Sequence, residues 1–147
     1  DSAVTIEEAR KELGEYLHLL KLCDLKKRKI DELRRLVQSC KGITYGDHLG
    51  NNGLGNNGGD IAYQIAKIAD FENELNEERL KAEETCNKIH EKIYKVGQEK
   101  VLYGNILEMR YINGKTMEDI ALYLAYDYTW ITRLMNRAVR MYAKIYT

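Results

Sequence analysis

The segment ILEMRYINGKTMEDIALYLAYDYTWITRLMNRAV, residues 106–139, carries the clearest structural signal in this chain of 147 residues. Two breaks divide it, at Asn113-Gly114 and at Ala125-Tyr126-Asp127. Around them, apolar residues recur at helical spacing, which predicts helices over 98–112, 117–125 and 128–145. A helix, a turn, a short helix, a three-residue turn and a longer helix form the layout of a helix-turn-helix, whose last helix enters the major groove of DNA.

Local chemistry at the breaks supports these helix boundaries. Thr116 precedes the short helix with Asp119 three residues on, which is an Asp variant of the capping box, and Asp127 is a suitable N-cap for the last helix. Many helix-turn-helix proteins carry Gly where this chain has Ala125. A left-handed Ala at that turn costs about 1 kcal/mol, which a folded domain tolerates.

The last helix presents an unusual polar face. Away from its apolar side, the segment YDYTWITRLMNRAVR shows Tyr128, Thr129, Trp130, Thr132, Arg133, Asn136 and Arg137. The chain as a whole has 23 basic and 23 acidic residues, but residues 128–147 carry four basic residues and no acid. The basic surface is therefore expected at the C-terminal end, where it would suit an anionic partner.

Residues 1–97 predict two long helices. Thr5 or Ser2 is suited to cap the first, and Asp60 the second. Heptad positions follow Ile6/Ala9, Leu13/Tyr16, Leu20/Cys23, Lys27/Ile30 and Arg34/Val37, then Ile61, Ile65/Ile68, Glu72/Leu75, Arg79/Ala82, Cys86/Ile89 and Ile93/Val96.

Between these helices, the Gly- and Asn-rich segment 42–59 is predicted to be a flexible loop. The predicted fold is all-α, with a long antiparallel helical hairpin (a coiled-coil arm) over 1–97 and a C-terminal helix-turn-helix domain over 98–147. Because two helices bury little surface alone, we expect a homo-oligomer, with a dimer favoured.

A family resemblance rests on Leu107-Glu108-Met109-Arg110-Tyr111, Gly114, the run Thr116-Met117-Glu118-Asp119-Ile120-Ala121, and Arg137-Ala138-Val139. These residues resemble region 4 of bacterial sigma factors. The order of the whole chain is similar to small phage-encoded proteins of Gram-positive hosts, the ArpU/RinA-type transcriptional regulators. The resemblance implies a helix-turn-helix protein that binds double-stranded DNA and regulates transcription.

Carried onto this sequence, the resemblance implies that one face of residues 128–145 meets DNA, through Tyr128, Thr129, Thr132, Arg133, Asn136 and Arg137. Arg133 would bind guanine in bidentate fashion, and Asn136 would read adenine or contact phosphate. Tyr128, Thr129 and Lys115 are better placed for backbone contacts. Trp130 either flanks the groove or packs against the arm.

Three further charged residues are interpreted structurally. Arg110 and Glu118 are expected to pair with each other. Arg140 and Lys144 are interpreted as a solvated face that complements the negative end of the last helix.

Other chemistry is weakly indicated. Cys86 and His90 lie four residues apart, but Cys86 is also a heptad position, where Cys behaves as a small hydrophobe. We therefore expect no metal, no cofactor and no enzymatic activity. Three irregularly spaced cysteines favour a reducing cytoplasm, which the resemblance implies to be that of a bacterial host cell. No stretch approaches the roughly 18 apolar residues of a membrane span.

Two alternative functions remain open at this point. A small terminase-like subunit for DNA packaging also joins a helix-turn-helix to a coiled oligomerisation arm, and it would form a ring of many subunits. A protein-interaction module would instead dock on host RNA polymerase, with the Trp130 face as the contact.

Overall fold

The chain is all-helical in a computed structural model that describes the backbone of residues 5–46 and 51–145 and the side chains of residues 5–39 and 61–145. These residues contain five α-helices and no strand. The helices are α1 (Ile6–Gly46), α2 (Asn51–Glu99), α3 (Val101–Leu107), α4 (Met117–Leu124) and α5 (Tyr128–Ala143). A π-helical turn, Glu108–Ile112, continues directly from α3.

The flexible loop predicted over 42–59 is largely replaced by helix. The backbone is helical through Gly46 and again from Asn51, so α2 begins before the predicted cap at Asp60. Residues 47–50 of the predicted loop lie outside the described residues. The physical reason is cooperativity: once a helix has formed, each added residue contributes its own hydrogen bond, which offsets the poor intrinsic helix propensity of Gly and Asn.

The first helix begins with a reciprocal cap. The backbone N–H of Glu8 donates to Thr5 Oγ1 at 3.1 Å, and the backbone N–H of Thr5 donates to Glu8 Oε1 at 3.0 Å. This pairing satisfies two N–H groups that have no partner within the helix. Of the two residues predicted as caps, Thr5 caps α1, and Ser2 lies outside the described residues.

Contacts divide the chain into two compact units, a terminal unit of residues 1–20 with 81–147 and a middle unit of residues 21–80. The sequence predicts its boundary at 97/98 instead. The difference arises because the beginning of α1 and the end of α2 contribute to the same core as α3, α4 and α5.

The core of the terminal unit is contributed by all five helices. Its fully buried side chains include Leu13, Ile89, Val96, Ile106, Leu107, Ile120, Ile131, Val139 and Tyr142. Within this unit Leu19 is buried, whereas Leu20, the predicted heptad position, is exposed. The heptad prediction is therefore wrong by one residue at this point, because a 3.6-residue helix drifts from a strict 3.5-residue repeat.

The middle unit contains a smaller apolar cluster, in which Cys23, Ile30 and Leu75 are buried and Ile68 and Phe71 pack against them. Leu33 and Val37 are also buried, while Ile65, a predicted heptad position, is exposed.

Ion pairs in the middle unit join its two helical segments. Lys26 Nζ lies 3.6 Å from Glu74 Oε1 and 3.5 Å from Glu78 Oε2, and Arg34 pairs with Glu72. Residue numbers rise along α1 as they fall along α2, so the two segments run antiparallel within this unit.

A close backbone approach sets the junction between α2 and α3. A Cβ added to Gly104 would lie 2.6 Å from the Cα of Gly97, whereas a Cβ added to Gly97 would meet the Cα of Gly104 at an ordinary 3.7 Å. Between them, Lys100 is extended (φ −142°, ψ 107°) and ends α2. Gly104 is therefore the position at which a side chain does not fit.

We predict that Gly104→Ala lowers the free energy of unfolding by about 1–3 kcal/mol, because the added methyl forces the two backbones apart. Gly97→Ala is the matched control and is expected to be neutral or slightly stabilising, since Ala is the better helix former. Urea denaturation of both variants checks this. Equal stability of the two variants would contradict the close approach.

A polar cluster lies beside the apolar core of the terminal unit and joins α1, α2 and α5. Glu12 of α1 accepts hydrogen bonds from Lys92 Nζ at 3.0 Å and from the Tyr142 hydroxyl at 2.9 Å, and Lys88 Nζ lies 3.2 Å from its second oxygen. Lys92 is only 7% exposed, and its ammonium sits 5.3 Å from the centre of the Tyr142 ring. A buried ammonium requires such a partner.

These contacts perturb two titrating groups. Burial alone would raise the pKa of Glu12, but hydrogen bonds from Lys92, Tyr142 and Lys88 outweigh it, so the pKa lies below its ordinary value of 4.5. Burial, together with the charge and hydrogen bond of Glu12, raises the pKa of Tyr142 well above its ordinary range. Tyr142 therefore stays protonated and acts as a donor.

We predict that Glu12→Gln lowers the free energy of unfolding at pH 7 by about 2 kcal/mol, less than for a fully buried pair because Glu12 is partly exposed. Because the folded-state pKa of Glu12 is lowered, its contribution is complete above pH 4.5 and is lost as the pH falls through the folded-state value. Wild type and variant should therefore converge in acid. Urea unfolding over a series of pH values from 7 into the acid range measures this, with the exposed Glu91→Gln as control. A difference that is independent of pH over the whole series would contradict it.

Candidate nucleic-acid interface

Helices α4 and α5 are joined by a tight turn. Ala125 adopts a left-handed conformation (φ 59°, ψ 40°), and the backbone N–H of Tyr126 donates to the Ala121 carbonyl at 2.9 Å. Asp127 then caps α5, because its Oδ2 accepts from the Thr129 N–H at 3.1 Å. The predicted left-handed Ala125 and the predicted cap at Asp127 are both confirmed.

The preceding break also agrees with the sequence. Thr116 Oγ1 accepts from the Asp119 N–H at 3.0 Å and so caps α4, and Gly114 has a positive φ of 73°. The expected pairing of Arg110 with Glu118 is wrong: Arg110 Nη1 instead donates to the Lys115 carbonyl at 3.0 Å. The backbone carbonyl is an acceptor that is already fixed by the loop, whereas pairing with Glu118 would require a second flexible side chain to be ordered.

Helix α5 has two distinct faces. Its buried face packs on α3 and α4 and comprises Ile131, Leu134, Met135, Ala138, Val139, Tyr142 and Ala143. Its outer face comprises the exposed Tyr128, Thr129, Trp130, Arg133, Arg137 and Arg140, with half-buried Thr132 and Asn136, and the exposed C-cap Lys144 continues it. The predicted division of this helix into an apolar side and a basic, aromatic side therefore holds.

Four cations form a stripe along the outer face. Arg133, Arg137, Arg140 and Lys144 are separated by four, three and four residues, which places them on one side of an α-helix over about 16 Å. Arg140 and Lys144, interpreted from the sequence as solvating residues, thus share the face of the predicted DNA contacts. This stripe is what a negatively charged partner would meet first.

Trp130 lies at one border of the stripe. The Arg137 guanidinium is 5.5 Å from the centre of its ring, a cation–π distance, and Trp130 remains 39% exposed. The indole thus supports an arginine of the outer face rather than joining the core. Such stacking holds a guanidinium in place at little cost to its remaining donors.

Asn136 lies at the opposite border and is held by another helix. The guanidinium of Arg10 in α1 hydrogen-bonds to Asn136 Oδ1. The predicted adenine contact needs this oxygen as an acceptor together with the amide as a donor. If Asn136 binds adenine, its Oδ1 must therefore either accept from both Arg10 and the base or give up the hydrogen bond from Arg10.

The structure also gives the positions of Thr132 and Tyr128, two further residues predicted to contact DNA. The Thr132 hydroxyl donates to the Tyr128 carbonyl at 3.0 Å, within its own helix, which leaves its oxygen lone pairs for a ligand. Tyr128 is exposed at the start of α5. Both side chains border the Arg133 end of the stripe.

Lys115 is not brought together with α5. It lines a different hollow, which it shares with Glu108, Asp119 and Tyr123 among others, and no residue of α5 contributes to that hollow. Of the seven predicted DNA-contacting residues, six therefore share the outer side of α5, and Lys115 stands apart.

Two basic residues of this surface had no signal in the sequence. Arg10 comes from α1, and Lys100 comes from the junction of α2 and α3, where it shares a hollow with Arg137, Arg140 and Lys144. Their positions depend on tertiary packing between distant parts of the chain. The sequence pattern of the last helix alone does not identify them.

Among the described residues, no three metal-ligating side chains lie close enough to hold an ion. His90 Nε2 instead lies 3.7 Å from Glu108 Oε2. Within the same residues, no helix has the length and apolar content that crossing a membrane requires.

Comparison with known proteins yields no relative: no family model, no curated protein and no solved structure matches this chain. The resemblance to sigma-factor region 4 accordingly stays a prediction from the residues quoted for it.

We predict that Asp127→Ala lowers the free energy of unfolding by about 1 kcal/mol, because the first turn of α5 loses its cap. Asp127→Asn keeps an acceptor at the same position and should remain within a few tenths of wild type. Thermal and urea unfolding of the two variants provide the test. A loss that is the same for Asn and Ala would show that the carboxylate charge, and not the cap, is what stabilises this turn.

Proposed function

We propose that this chain is a sequence-specific duplex-DNA-binding protein, a phage transcriptional regulator of the sigma-region-4-like class, acting without enzymatic chemistry in the cytoplasm of a bacterial host. The observation that carries the proposal is the outer face of α5, which bears four cations and no acid. Its short connection to α4, through Ala125 and the Asp127 cap, is the arrangement expected of a helix-turn-helix.

The dimensions of α5 suit the proposed role as recognition helix. An α-helix with side chains is about 10–12 Å across, and the major groove of DNA is about 12 Å wide. Arg133 is exposed on the outer face of α5 and its side chain forms no hydrogen bond or ion pair with another described residue, and its planar guanidinium matches the two acceptors of guanine. Arg133 is therefore the proposed base-reading residue.

The remaining predicted contacts take supporting roles. Thr129 and Tyr128 lie at the N-terminal end of α5, where backbone contacts to phosphate are favourable. Asp127 opposes this, because its carboxylate repels phosphate. We propose Thr132, Asn136 and Arg137 as flanking contacts, with Asn136 reaching DNA together with Arg10, and Lys115 as a separate backbone contact.

The middle unit supports a proposal of self-association. Among the side chains that the structure describes in this unit, five large apolar ones are exposed, namely Leu25, Leu36, Tyr63, Ile65 and Leu80. We propose that residues 1–97 form an antiparallel helical hairpin whose arm pairs with a second copy. A dimer would place two recognition helices on two half-sites, whereas a ring of many subunits in light scattering would favour the terminase-like packaging role.

A second candidate function has its own observation. Leu122 is 82% exposed and Tyr123 is 77% exposed on α4, a surface that faces away from the α4 core residues Ile120 and Ala121. Exposed apolar side chains of this size are typical of protein-binding surfaces. Docking on host RNA polymerase, alone or together with DNA binding, is the alternative that this surface favours.

We predict that the purified chain binds duplex DNA with an affinity that falls steeply with salt, with a log–log slope of about −3.6 per head if about four phosphates are neutralised. Fluorescence anisotropy over a range of salt concentrations measures the slope. Genome-scale selection of bound duplexes then gives the preferred sequence and the half-site spacing.

In the same experiment, Arg133→Ala should reduce the preference for the selected sequence by about 1–3 kcal/mol, because a bidentate base contact is lost. Arg35→Ala, which removes the same charge from an exposed site in the middle unit, is the matched control and should leave the preference unchanged. Equal affinity for all duplexes, or no salt dependence, would sink the proposal. Co-purification of polymerase without any duplex binding would select the alternative.

A further inference from the structure

We propose that Lys100 acts with Arg137, Arg140 and Lys144 as a binding site for backbone phosphates of DNA on one flank of α5. The inference rests on the proposed DNA-binding function and adds Lys100, a residue that lies outside helices α4 and α5 and the turn between them. The site differs from the base-reading position at Arg133 in place and in chemistry.

The four cations line one hollow at the surface of the terminal unit. Glu99 is the acidic residue among its lining residues, and Tyr103 and Met141 contribute apolar surface. The formal charge of the hollow is therefore +3. A depression with this excess of positive charge raises the local concentration of anions and attracts phosphate oxygens in particular.

The position of Lys100 is fixed by the fold. Its backbone N–H donates to the Val96 carbonyl at 2.9 Å, and its extended conformation ends α2 and begins α3. Its ammonium lies 5.5 Å from the centre of the Tyr103 ring. Gly97 and Gly104, whose backbones approach closely, lie on either side of this junction in the sequence. The position of Lys100 beside α5 is therefore set by packed backbone.

The shape of the charge distribution favours a polymer over a single anion. Arg137, Arg140 and Lys144 follow one another along α5 over about 10 Å, at 1.5 Å per residue. Phosphates on one DNA strand recur every ~3.4 Å of helix axis. A row of this length meets more than one phosphate of the same strand, whereas a free phosphate or nucleotide would engage only part of it.

The opposite flank of α5 has its own cation, which supports this geometry. At about 100° per residue, Asn136 lies on the other side of the exposed arc from Trp130 and Arg137. Asn136 is the residue that Arg10 holds. Cations from α1 and from the α2–α3 junction thus border the two sides of α5, as the two phosphate strands border the major groove.

The test compares Lys100→Ala with two other variants. Lys100→Ala should weaken binding on the order of fivefold, equally for the selected duplex and for random duplexes, and should make the salt slope less negative by about 0.9. The selected sequence itself should not change. Lys100→Gln, which keeps most of the side-chain stem over Tyr103, should give the same loss if the charge is responsible. Lys81→Ala, an exposed lysine of the same unit, is the matched control and should bind as wild type.

The outcomes separate this inference from the proposed function. If Lys100→Ala and Lys100→Gln bind like Lys81→Ala while Arg133→Ala loses sequence preference, the phosphate site is overturned and the DNA-binding proposal stands. If the wild type binds no duplex, both fall. Calorimetric titration with inorganic phosphate and with a mononucleotide measures whether the site binds small anions. Saturable binding of these anions that depends on Lys100, without binding of duplex DNA, would overturn the assignment to DNA.

Discussion

The hydrogen-bonded carboxylate of Glu12 is the interaction on which the terminal unit depends. It receives Lys92 from α2 and Tyr142 from α5, so one side chain connects three helices that are far apart in the sequence. Apolar packing alone is tolerant of rotation, because many arrangements bury a similar area. The hydrogen bond from Tyr142 to Glu12 is directional, so it favours one rotation of α5 about its own axis.

That rotation determines what α5 presents to its surroundings. With Tyr142 directed at Glu12, the apolar arc from Ile131 to Ala143 faces α3 and α4, and the cations of the opposite arc face outward. The same core thus sets both the stability of the unit and the chemistry of its surface. Arg10 and Lys100 extend the positive surface on either side, since the helices that carry them belong to the same core.

The sequence predicted those features that local chemistry controls. The breaks, the caps at Thr5, Thr116 and Asp127, and the left-handed Ala125 each follow from a few neighbouring residues, and all are present. Features that depend on tertiary context were missed or misassigned. These include the burial of Leu19 in place of Leu20, the helical backbone on both sides of residues 47–50, and the basic residues contributed by α1 and the α2–α3 junction. Helical periodicity predicts which residues share one face of a helix, but it does not predict which residues from distant parts of the sequence pack beside that face.

The π-helical turn after α3 has a consequence for how the length of this segment can vary. Its hydrogen bonds span five residues, as in the bond from the Asn113 N–H to the Glu108 carbonyl at 3.0 Å, so it holds one residue more than an α-helical turn. A single-residue deletion within Glu108–Ile112 would remove this extra residue and allow the segment to form ordinary α-helical hydrogen bonds. The turn can therefore lose one residue without interrupting the helix that it continues from α3, and we expect a deletion there to be accepted more readily than an insertion.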